Sequence, residues 1–174
     1  MSDDAPRADS IGIIRLTPER WEAYRDIRLQ GLREDPQAFG GSFAEESAYP
    51  QEKWIQRAGN PYSFLALENG LPMGTASAFV DEADEQTAYI VGVFVSREAR
   101  GKGNASRLMS AVLEKLRQNS AIRKVMLAVN RDQTAAVKLY QKLGFRITGE
   151  EAQLLGDGKE HTAYWMELVI RPVV

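Results

Sequence analysis

The sequence of 174 residues contains no cysteine and a single histidine, His161. The absence of cysteine excludes thiol nucleophiles, cysteine-ligated zinc, iron–sulfur clusters and disulfide bonds. One histidine cannot build a histidine-rich metal site, and a serine hydrolase that used it would lack the G-x-S-x-G turn that presents the serine. We therefore expect no bound metal.

Long apolar runs and a large net charge are also missing. The longest uninterrupted apolar run, residues 88–95, is far shorter than the roughly 20 residues of a membrane-spanning helix. Lys and Arg number 22 against 24 Asp and Glu, so no strong field draws the protein to nucleic acid or to an anionic bilayer. We therefore expect a cytoplasmic protein that binds neither nucleic acid nor a membrane.

The length suits one domain, at about 100–200 residues per domain. Residues 1–10 are polar and lack the apolar stretch of a signal peptide, so we expect them to be disordered and to precede a single domain over 11–174. Within it the apolar pattern predicts the order β-α-α-β-β-β-α-β-α-β-β. The predicted strands lie near 11–16, 62–68, 71–80, 87–95, 125–129, 145–150 and 162–168, and the predicted helices near 18–34, 50–58, 103–118 and 136–143.

This order predicts an α/β fold with a mixed, mostly antiparallel central sheet and helices on both faces. Residues 87–95 are the most β-prone segment and should be central in the sheet. The strand–helix–strand unit over 87–129 should be parallel and right-handed. Such units bind ligands at the carboxyl ends of their strands.

A glycine-containing loop stands at such a strand end, immediately before the next helix. Its sequence is Arg100-Gly101-Lys102-Gly103-Asn104-Ala105-Ser106. A helix start has about four amide N–H groups without partners, and glycines let a ligand approach the main chain, so the loop suits a phosphate. A turn without a ligand is the alternative interpretation. The loop is not a Walker A motif, because Ser96 stands where the first glycine is required. A Rossmann fingerprint needs an acidic residue at the end of the next strand, and that strand ends in Val129-Asn130.

Two motifs together resemble the GNAT superfamily of N-acyltransferases. The pattern R-x-x-G-x-A over 100–105, after the strand end Val93-Phe94-Val95, resembles the acyl-coenzyme A loop of that superfamily. Leu127-Ala128-Val129, followed by A-x-x-L-Y-x-x-x-G-F over 136–145, resembles its second cofactor motif. The resemblance covers about residues 60–168. It implies a GNAT-like acyl-CoA N-acyltransferase fold with a splayed pair of parallel strands, and direct transfer of an acetyl group from acetyl-CoA to a primary amine of a small molecule or protein N-terminus. It is also compatible with a homodimer.

The resemblance implies roles by position. Tyr140 falls where relatives keep a tyrosine that hydrogen-bonds the departing sulfur, which implies a general acid, although its spacing also fits a core aromatic on a helix face. The family usually has an asparagine where this chain has Gln133, so Gln133 or Asn130 would take that place. The implied cofactor-binding residues are Val93, Phe94, Val95, Arg100, Gly101, Lys102, Gly103, Asn104, Ala105, Ser106, Asn130, Gln133 and Tyr140.

The base that removes the proton of the amine is left open. Many relatives have a glutamate at the start of the fourth strand, where this chain has Thr87-Ala88-Tyr89. Candidates elsewhere are Glu45, Glu46, Glu85 and His161, of which we select Glu46 and His161 as predicted catalytic residues. A non-catalytic acyl-CoA-binding module is the first alternative to an enzyme, and a phosphate- or nucleotide-binding protein is the second.

Overall fold

A sheet of seven strands forms the framework of the chain in the computed structural model, which describes residues 11–172. The strands are β1 (Ile11–Arg15), β2 (Phe64–Glu68), β3 (Leu71–Val80), β4 (Thr87–Val95), β5 (Lys124–Asn130), β6 (Arg146–Leu154) and β7 (Glu160–Val169). The helices are α1 (Trp21–Glu34), α2 (Phe43–Glu46), α3 (Gln51–Ala58), α4 (Asn104–Arg117) and α5 (Thr134–Lys142), with short 3-10 turns at Pro18–Arg20, Pro36–Ala38 and Arg97–Ala99. In space the strands follow the order β1-β2-β3-β4-β5-β7-β6, so β4 is central.

The parallel strands β4 and β5 separate part-way along their length. They pair over residues 87–89 and 124–126, although β4 continues to Val95 and β5 to Asn130. The register between β3 and β4 shifts beside Gly92, whose φ of 64° favours glycine. A bulge of this kind bends the strand that carries it. The diverging ends leave an opening at the carboxyl ends of both strands.

Two apolar cores lie on opposite faces of the sheet. On one face α4 buries Leu108, and on the other α1 and α3 bury Ile27 and Trp54. The neighbouring strand residues Leu65 and Ala66 belong to different cores, because successive side chains of a strand point to opposite faces. Each fully buried large apolar side chain stabilises the fold by roughly 1.5–3 kcal/mol. The two cores therefore fix the ends of α1 and α4 beside the opening between β4 and β5.

The predicted fold class is confirmed, and the predicted element order holds apart from the additional short helix α2. β3 and β4 have the predicted bounds, and the Asn69-Gly70 turn between β2 and β3 has positive φ at both residues, 52° and 78°, as a two-residue hairpin turn requires. The hairpin of β6 and β7 extends further than predicted, to Leu154 and from Glu160. Most of the added residues are exposed, so no buried apolar face marked this end of the hairpin in the sequence.

The polar segment 37–49 contains structure that the apolar pattern did not predict. The 3-10 turn at Pro36–Ala38 and the short helix α2 both lie there. Helix α2 begins after Ser42, whose side chain accepts a hydrogen bond from the N–H of Glu45 at 3.2 Å. The prediction for residues 1–10 lies outside the described residues. Within residues 11–172 no helix has the length and apolar character needed to cross a bilayer.

Candidate active site

The opening between β4 and β5 leads into two pockets that share part of their lining. The loop pocket, of about 380 Å³, is lined by residues 93–95 of β4, the start of α4 and one side of α5. The arginine pocket, of about 580 Å³, is lined by Arg28, Arg57 and several aromatic side chains. Phe39 and Gly92 line both pockets. A molecule bound in one pocket is therefore within reach of a molecule bound in the other.

The loop pocket contains a row of amide N–H groups without protein partners. The amides from Gly101 to Ser106 make no hydrogen bond to any residue that the structure describes. Gly101 and Gly103 have φ of 76° and 80°, and no atom lies within 4 Å of the place where a Cβ would stand on either. The first turn of α4 has neither a side-chain cap nor an acidic residue. This open main chain at the positive end of a helix is suited to a phosphate.

The polar side chains of this loop mainly hold the loop itself. Nε of Arg100 donates to the carbonyl of Val95 at 2.9 Å, and its guanidinium pairs with Asp35 at the end of α1. Asn104 is buried and donates to the last carbonyl of the preceding 3-10 turn at 2.8 Å. Lys102 is exposed and does not line the loop pocket. The anion site predicted from the sequence is thus built from main-chain groups more than from cationic side chains.

The main chain of β4 offers further groups to the loop pocket. Ser96 donates to β3 at 2.8 Å, and Phe94 is paired with β3. Because successive main-chain groups of a strand point in opposite directions, those of Val93 and Val95 point into the space that β5 has left. The Val95 carbonyl accepts the bond from Arg100. The polar groups of Val93 are therefore open to a ligand that lies along β4 like an added strand.

Tyr140, on α5, lines the loop pocket. Its side chain is buried, with 7% exposure for the residue, and its ring packs edge-on against Phe145 at 6.2 Å between centroids. Its hydroxyl makes no hydrogen bond within residues 11–172 and is not sealed from the cavity. Burial raises the pKa of Tyr140 above its ordinary value of 10, so the phenol stays protonated at neutral pH. The O–H is therefore available to donate to a ligand in the loop pocket.

A hydrogen-bond network occupies both ring nitrogens of His161. Nδ2 of Asn130 donates to the carbonyl of Gln37 at 3.1 Å and to Nδ1 of His161 at 3.2 Å, while its Oδ1 accepts from the N–H of Asp132. Nδ1 of His161 is thus an acceptor, and Nε2 donates to Asp157 at 2.7 Å. His161 lines neither pocket. The prediction that His161 is the base gains no support from this geometry.

The segment before α2 closes one side of the opening. Asn130 holds Gln37, and Gly156, in the turn between β6 and β7, donates its N–H to the carbonyl of Phe39 at 2.7 Å. A Cβ on Gly156 would collide with the carbonyl oxygen of Gly41, so this close approach requires glycine. These contacts place Phe39 in the wall of both pockets.

Gln133 precedes α5 and lines the loop pocket. Its side chain makes no hydrogen bond to the part of the chain that the structure describes. The amide group of Asn130 is instead fully engaged by its three partners. Gln133 and Asn130 are the two residues predicted to take the place of the asparagine that the family usually has. Of these, Gln133 is the one with a free amide group at the loop pocket.

Glu46 lies behind the arginine pocket, held by two guanidinium groups. Nε and Nη2 of Arg28 donate to its two carboxylate oxygens at 2.9 and 2.8 Å, and Nη1 of Arg57 donates at 3.0 Å. Burial alone would raise the pKa of Glu46, but the bonds and charges of the two arginines outweigh burial and hold it below the ordinary value of 4.5. A carboxylate stabilised in this way is a weak base, and Glu46 does not line the pocket. The prediction that Glu46 is the base gains no support either.

Aromatic side chains form another wall of the arginine pocket. Phe79 stacks on Tyr89 with 5.4 Å between ring centroids, and Tyr89 meets the edge of Trp165 at 6.2 Å. Burial, and then the charge of Asp81, raise the pKa of Tyr89, so this phenol also stays protonated. Among the residues that the structure describes, no carboxylate and no histidine lines the arginine pocket.

Sequence reasoning missed both arginines and this aromatic wall. One signal for Arg28 was present, because it stands four residues after Tyr24 on the side of α1 that is otherwise apolar. The other residues carry no such signal. Arg57 and Trp165 come from separate elements that the tertiary fold brings together.

Comparison with known proteins assigns the family. A family model described as the acetyltransferase (GNAT) family matches residues 16–145. The chain belongs to this family. Mycothiol acetyltransferase of Mycolicibacterium vanbaalenii is 30% identical to it over 127 residues, which are 71% of this chain and 41% of that protein. L-2,4-diaminobutyric acid acetyltransferase of Streptomyces anulatus is 24% identical over 160 residues, which are 91% of this chain and 80% of that protein.

The GNAT fold is also found among solved structures. The structure of YncA from Salmonella typhimurium with its cofactor acetyl-CoA has a TM-score of 0.78 and 18% identity, and the match covers 95% of this chain and 96% of that chain. The GNAT chain described here spans about two fifths of the length of the mycothiol acetyltransferases it matches. The resemblance to GNAT proteins and the fold it implies are thus confirmed.

Proposed function

We propose that this GNAT protein transfers the acetyl group of acetyl-CoA directly to a primary amine of a small molecule or a protein N-terminus. The observation that carries the proposal is the row of unpartnered amides from Gly101 to Ser106, which lies in the same pocket as the unpartnered hydroxyl of Tyr140. The second pocket opens beside it and shares Gly92 in its wall. Family membership and the name of the diaminobutyric acid acetyltransferase support the same reaction type.

The residues of the loop pocket fit coenzyme A. The amides from Gly101 to Ser106 would hold the diphosphate at the start of α4. The open main chain of Val93 would bond the amide-bearing arm along β4, and the free amide group of Gln133 would add a further polar contact. When bound, acetyl-CoA supplies a thioester whose carbonyl carbon accepts a nucleophile.

Tyr140 would assist the departure of the sulfur. A phenol whose pKa is raised above 10 is a weaker acid than a thiol, whose ordinary pKa is about 8.5. Complete proton transfer from Tyr140 to the thiolate is therefore unfavourable. A hydrogen bond from the phenol to the developing thiolate stabilises the charge without that transfer, so we assign Tyr140 as a general acid that acts as a donor.

The arginine pocket would favour the neutral, nucleophilic form of the acceptor amine. Arg28 and Arg57 line the pocket and Glu46 balances one of their two charges, so the pocket carries net positive charge. A positive surrounding disfavours an ammonium ion and lowers the pKa of a bound amine. The amine would then lose its proton to water without a carboxylate base. Nitrogen forms a bond to the acetyl carbon, and the carbon–sulfur bond breaks so that CoA leaves as a thiolate. One proton leaves the nitrogen for water and the thiolate takes up one proton from water, which gives the amide and free CoA.

The first experiment compares wild type with Tyr140→Phe by thiol release from acetyl-CoA across a panel of amines. We expect Tyr140→Phe to lower kcat by at least about tenfold, because a hydrogen bond to the thiolate contributes less than full acid catalysis. The dissociation constant of CoA should stay within about twofold of the wild-type value. Tyr164→Phe is the matched control, since Tyr164 on β7 lines neither pocket. Equal turnover by Tyr140→Phe and wild type would remove Tyr140 from the mechanism.

A non-catalytic acyl-CoA-binding module is the second candidate. The observation that favours it is the lack of a carboxylate or histidine in the described lining of the arginine pocket. In that case calorimetry would detect CoA binding, while no amine in the panel would release thiol. Protection against thermal unfolding by ATP or NAD equal to that by CoA would instead indicate a general nucleotide-binding protein.

A further inference from the structure

The arginine pocket carries a positive charge that its lining does not balance. Arg28 and Arg57 are the charged residues among those found to line it in residues 11–172. Glu46, behind them, balances one of these two charges. Asp81 and Glu151 stand near the aromatic wall without lining the pocket, and Glu151 accepts a hydrogen bond from Trp165. The residues that line the cavity of about 580 Å³, counted together with Glu46, therefore carry one net positive charge.

Both guanidinium groups keep N–H groups without a partner. Arg28 uses Nε and Nη2 on Glu46, and Arg57 uses Nη1. The remaining groups, Nη1 of Arg28 and both Nε and Nη2 of Arg57, make no hydrogen bond to the described part of the chain. The Arg28 side chain is 11% exposed, so bulk water satisfies little of it. Arg28 is already paired with Glu46, and its remaining Nη1 group opens to the cavity as a donor for a second anion.

The free N–H groups of Arg28 lie next to the strand end at which the thioester is proposed to bind. Nη1 of Arg28 lies 3.2 Å from the place that a Cβ on Gly92 would take. Gly92 lies beside the register shift of β4, beyond the last pair with β5 at Tyr89 and immediately before Val93. The Arg57 guanidinium is held over the rings of Tyr24 and Trp54, at 5.6 and 5.2 Å from their centroids. Both cations are thus fixed in place by their surroundings rather than by a ligand.

We propose that the acceptor is an amine that also bears a carboxylate, as a free amino acid does, and that Arg28 and Arg57 bind this carboxylate. This inference rests on the proposed acetyl transfer. Arginine matches a carboxylate with two parallel N–H groups, which fixes orientation as well as affinity. Anchoring the carboxylate beside Gly92 places an amine a few bonds away next to the thioester. A polyamine or another polycation would be repelled by the same charge.

The size and closure of the pocket favour a small molecule over a protein chain. Its volume lies within the roughly 300–1,000 Å³ that is typical of small-ligand sites. Gly40 and Gly41 line it, in the segment that Asn130 and Gly156 tie down across the opening. The aromatic wall of Phe79, Tyr89 and Trp165 would pack against the aliphatic or aromatic part of the acceptor.

The test uses acceptor pairs that differ in the carboxylate. L-Phenylalanine is compared with phenethylamine and L-lysine with cadaverine, by thiol release from acetyl-CoA in the full chain. We expect kcat/KM of the carboxylate-bearing member to be at least about 30-fold higher, after allowance for the fraction of neutral amine. In Arg57→Gln this ratio should fall towards one. Arg25→Gln, the same change on an arginine of α1 that pairs with Asp26 outside the pocket, should keep the ratio.

A binding measurement separates this inference from the proposed function. The CoA-saturated protein is titrated calorimetrically with the same amino acids, and the dissociation constant should rise at least about tenfold in Arg57→Gln but not in Arg25→Gln. Acetylation of both members of each pair at equal rates would overturn the carboxylate site and leave acetyl transfer intact. Arginine-dependent binding with no turnover of any amine would overturn the proposed function and leave the carboxylate site intact.

Peptides form the remaining arm of the test. The dipeptide amides Asp-Ala and Asn-Ala carry the same free α-amine and differ in one side-chain carboxylate. A preference for Asp-Ala without acetylation of any free amino acid would show that the arginines select an acidic protein N-terminus, and would overturn the free amino acid as acceptor. Neither turnover nor binding of any member of the three pairs would overturn both proposals.

Discussion

Replacing Glu46 by glutamine tests whether this carboxylate stabilises the fold as the ion-pair partner of two arginines or acts as the catalytic base. In the structure Glu46 has 6% side-chain exposure and accepts three N–H groups from Arg28 and Arg57. Glutamine keeps the shape but leaves two guanidinium groups facing each other without a counter-charge. Removal of one partner from a buried ion pair costs about 3–5 kcal/mol. Because the Arg57 side chain is 28% exposed and partly screened, we expect the lower end, about 3 kcal/mol.

Thermal unfolding and thiol-release kinetics are measured on both wild type and Glu46→Gln. For a domain of this length 1 kcal/mol shifts Tm by about 2–4 °C, so Glu46→Gln should lower Tm by about 6–12 °C. Glu45→Gln, an exposed neighbour in the same helix, should change Tm by less than about 2 °C. If Glu46 were instead the catalytic base, glutamine would lower kcat by about a hundredfold or more and leave Tm unchanged. That result would refute the ion-pair role.

The pH dependence of stability checks the same reasoning. The folded pKa of Glu46 lies below its ordinary value of 4.5, so the stabilisation is present above about pH 4.5 and is lost as the pH falls through the folded pKa. The difference in unfolding free energy between wild type and Glu46→Gln should therefore be constant near neutral pH and shrink on acidification below about pH 4.5. A difference that grows towards acid would contradict the stated sign.

Two further predictions concern the cofactor loop and the amine. Gly103→Ala puts a Cβ at φ 80°, a conformation that alanine disfavours, so we expect about 1–2 kcal/mol of destabilisation. The dissociation constant of CoA should rise at least about tenfold. Gly149→Ala, which also adds a Cβ in open space, is the control and should leave CoA binding unchanged. Equal CoA affinity in Gly103→Ala would exclude the loop as the diphosphate site. For a peptide acceptor with a free N-terminal α-amine, kcat should rise with pH to a midpoint below the 7.7–8.0 of an unperturbed peptide α-amine, because the lining of the pocket is net positive, and a midpoint above about 8 would contradict that charge argument.

Local patterns in the sequence predicted the loop pocket well. The loop from Arg100 to Ser106, the strand end at Val93 and the helix with Tyr140 are each continuous in sequence, and their hydrogen-bonding capacity follows from secondary structure. Side-chain roles within the loop were less predictable. Arg100 and Asn104 were expected to face a ligand, but they bond carbonyls of the neighbouring turn and strand. Which way a polar side chain turns depends on carbonyl groups that only the folded chain brings near.

Sequence alone determined the fold class, the central position of β4 and the open main chain of the loop before α4, because periodicity, turn chemistry and a helix start are properties of neighbouring residues. The tertiary structure decided the chemistry of the acceptor side. Glu46 looked like a free acid in a polar segment, and packing of α2 against α1 and α3 joined it to Arg28 and Arg57. Glu46 alone would make this region negative, but beside two arginines it leaves one positive charge at the pocket. The net charge of a pocket depends on which charged side chains the fold brings together.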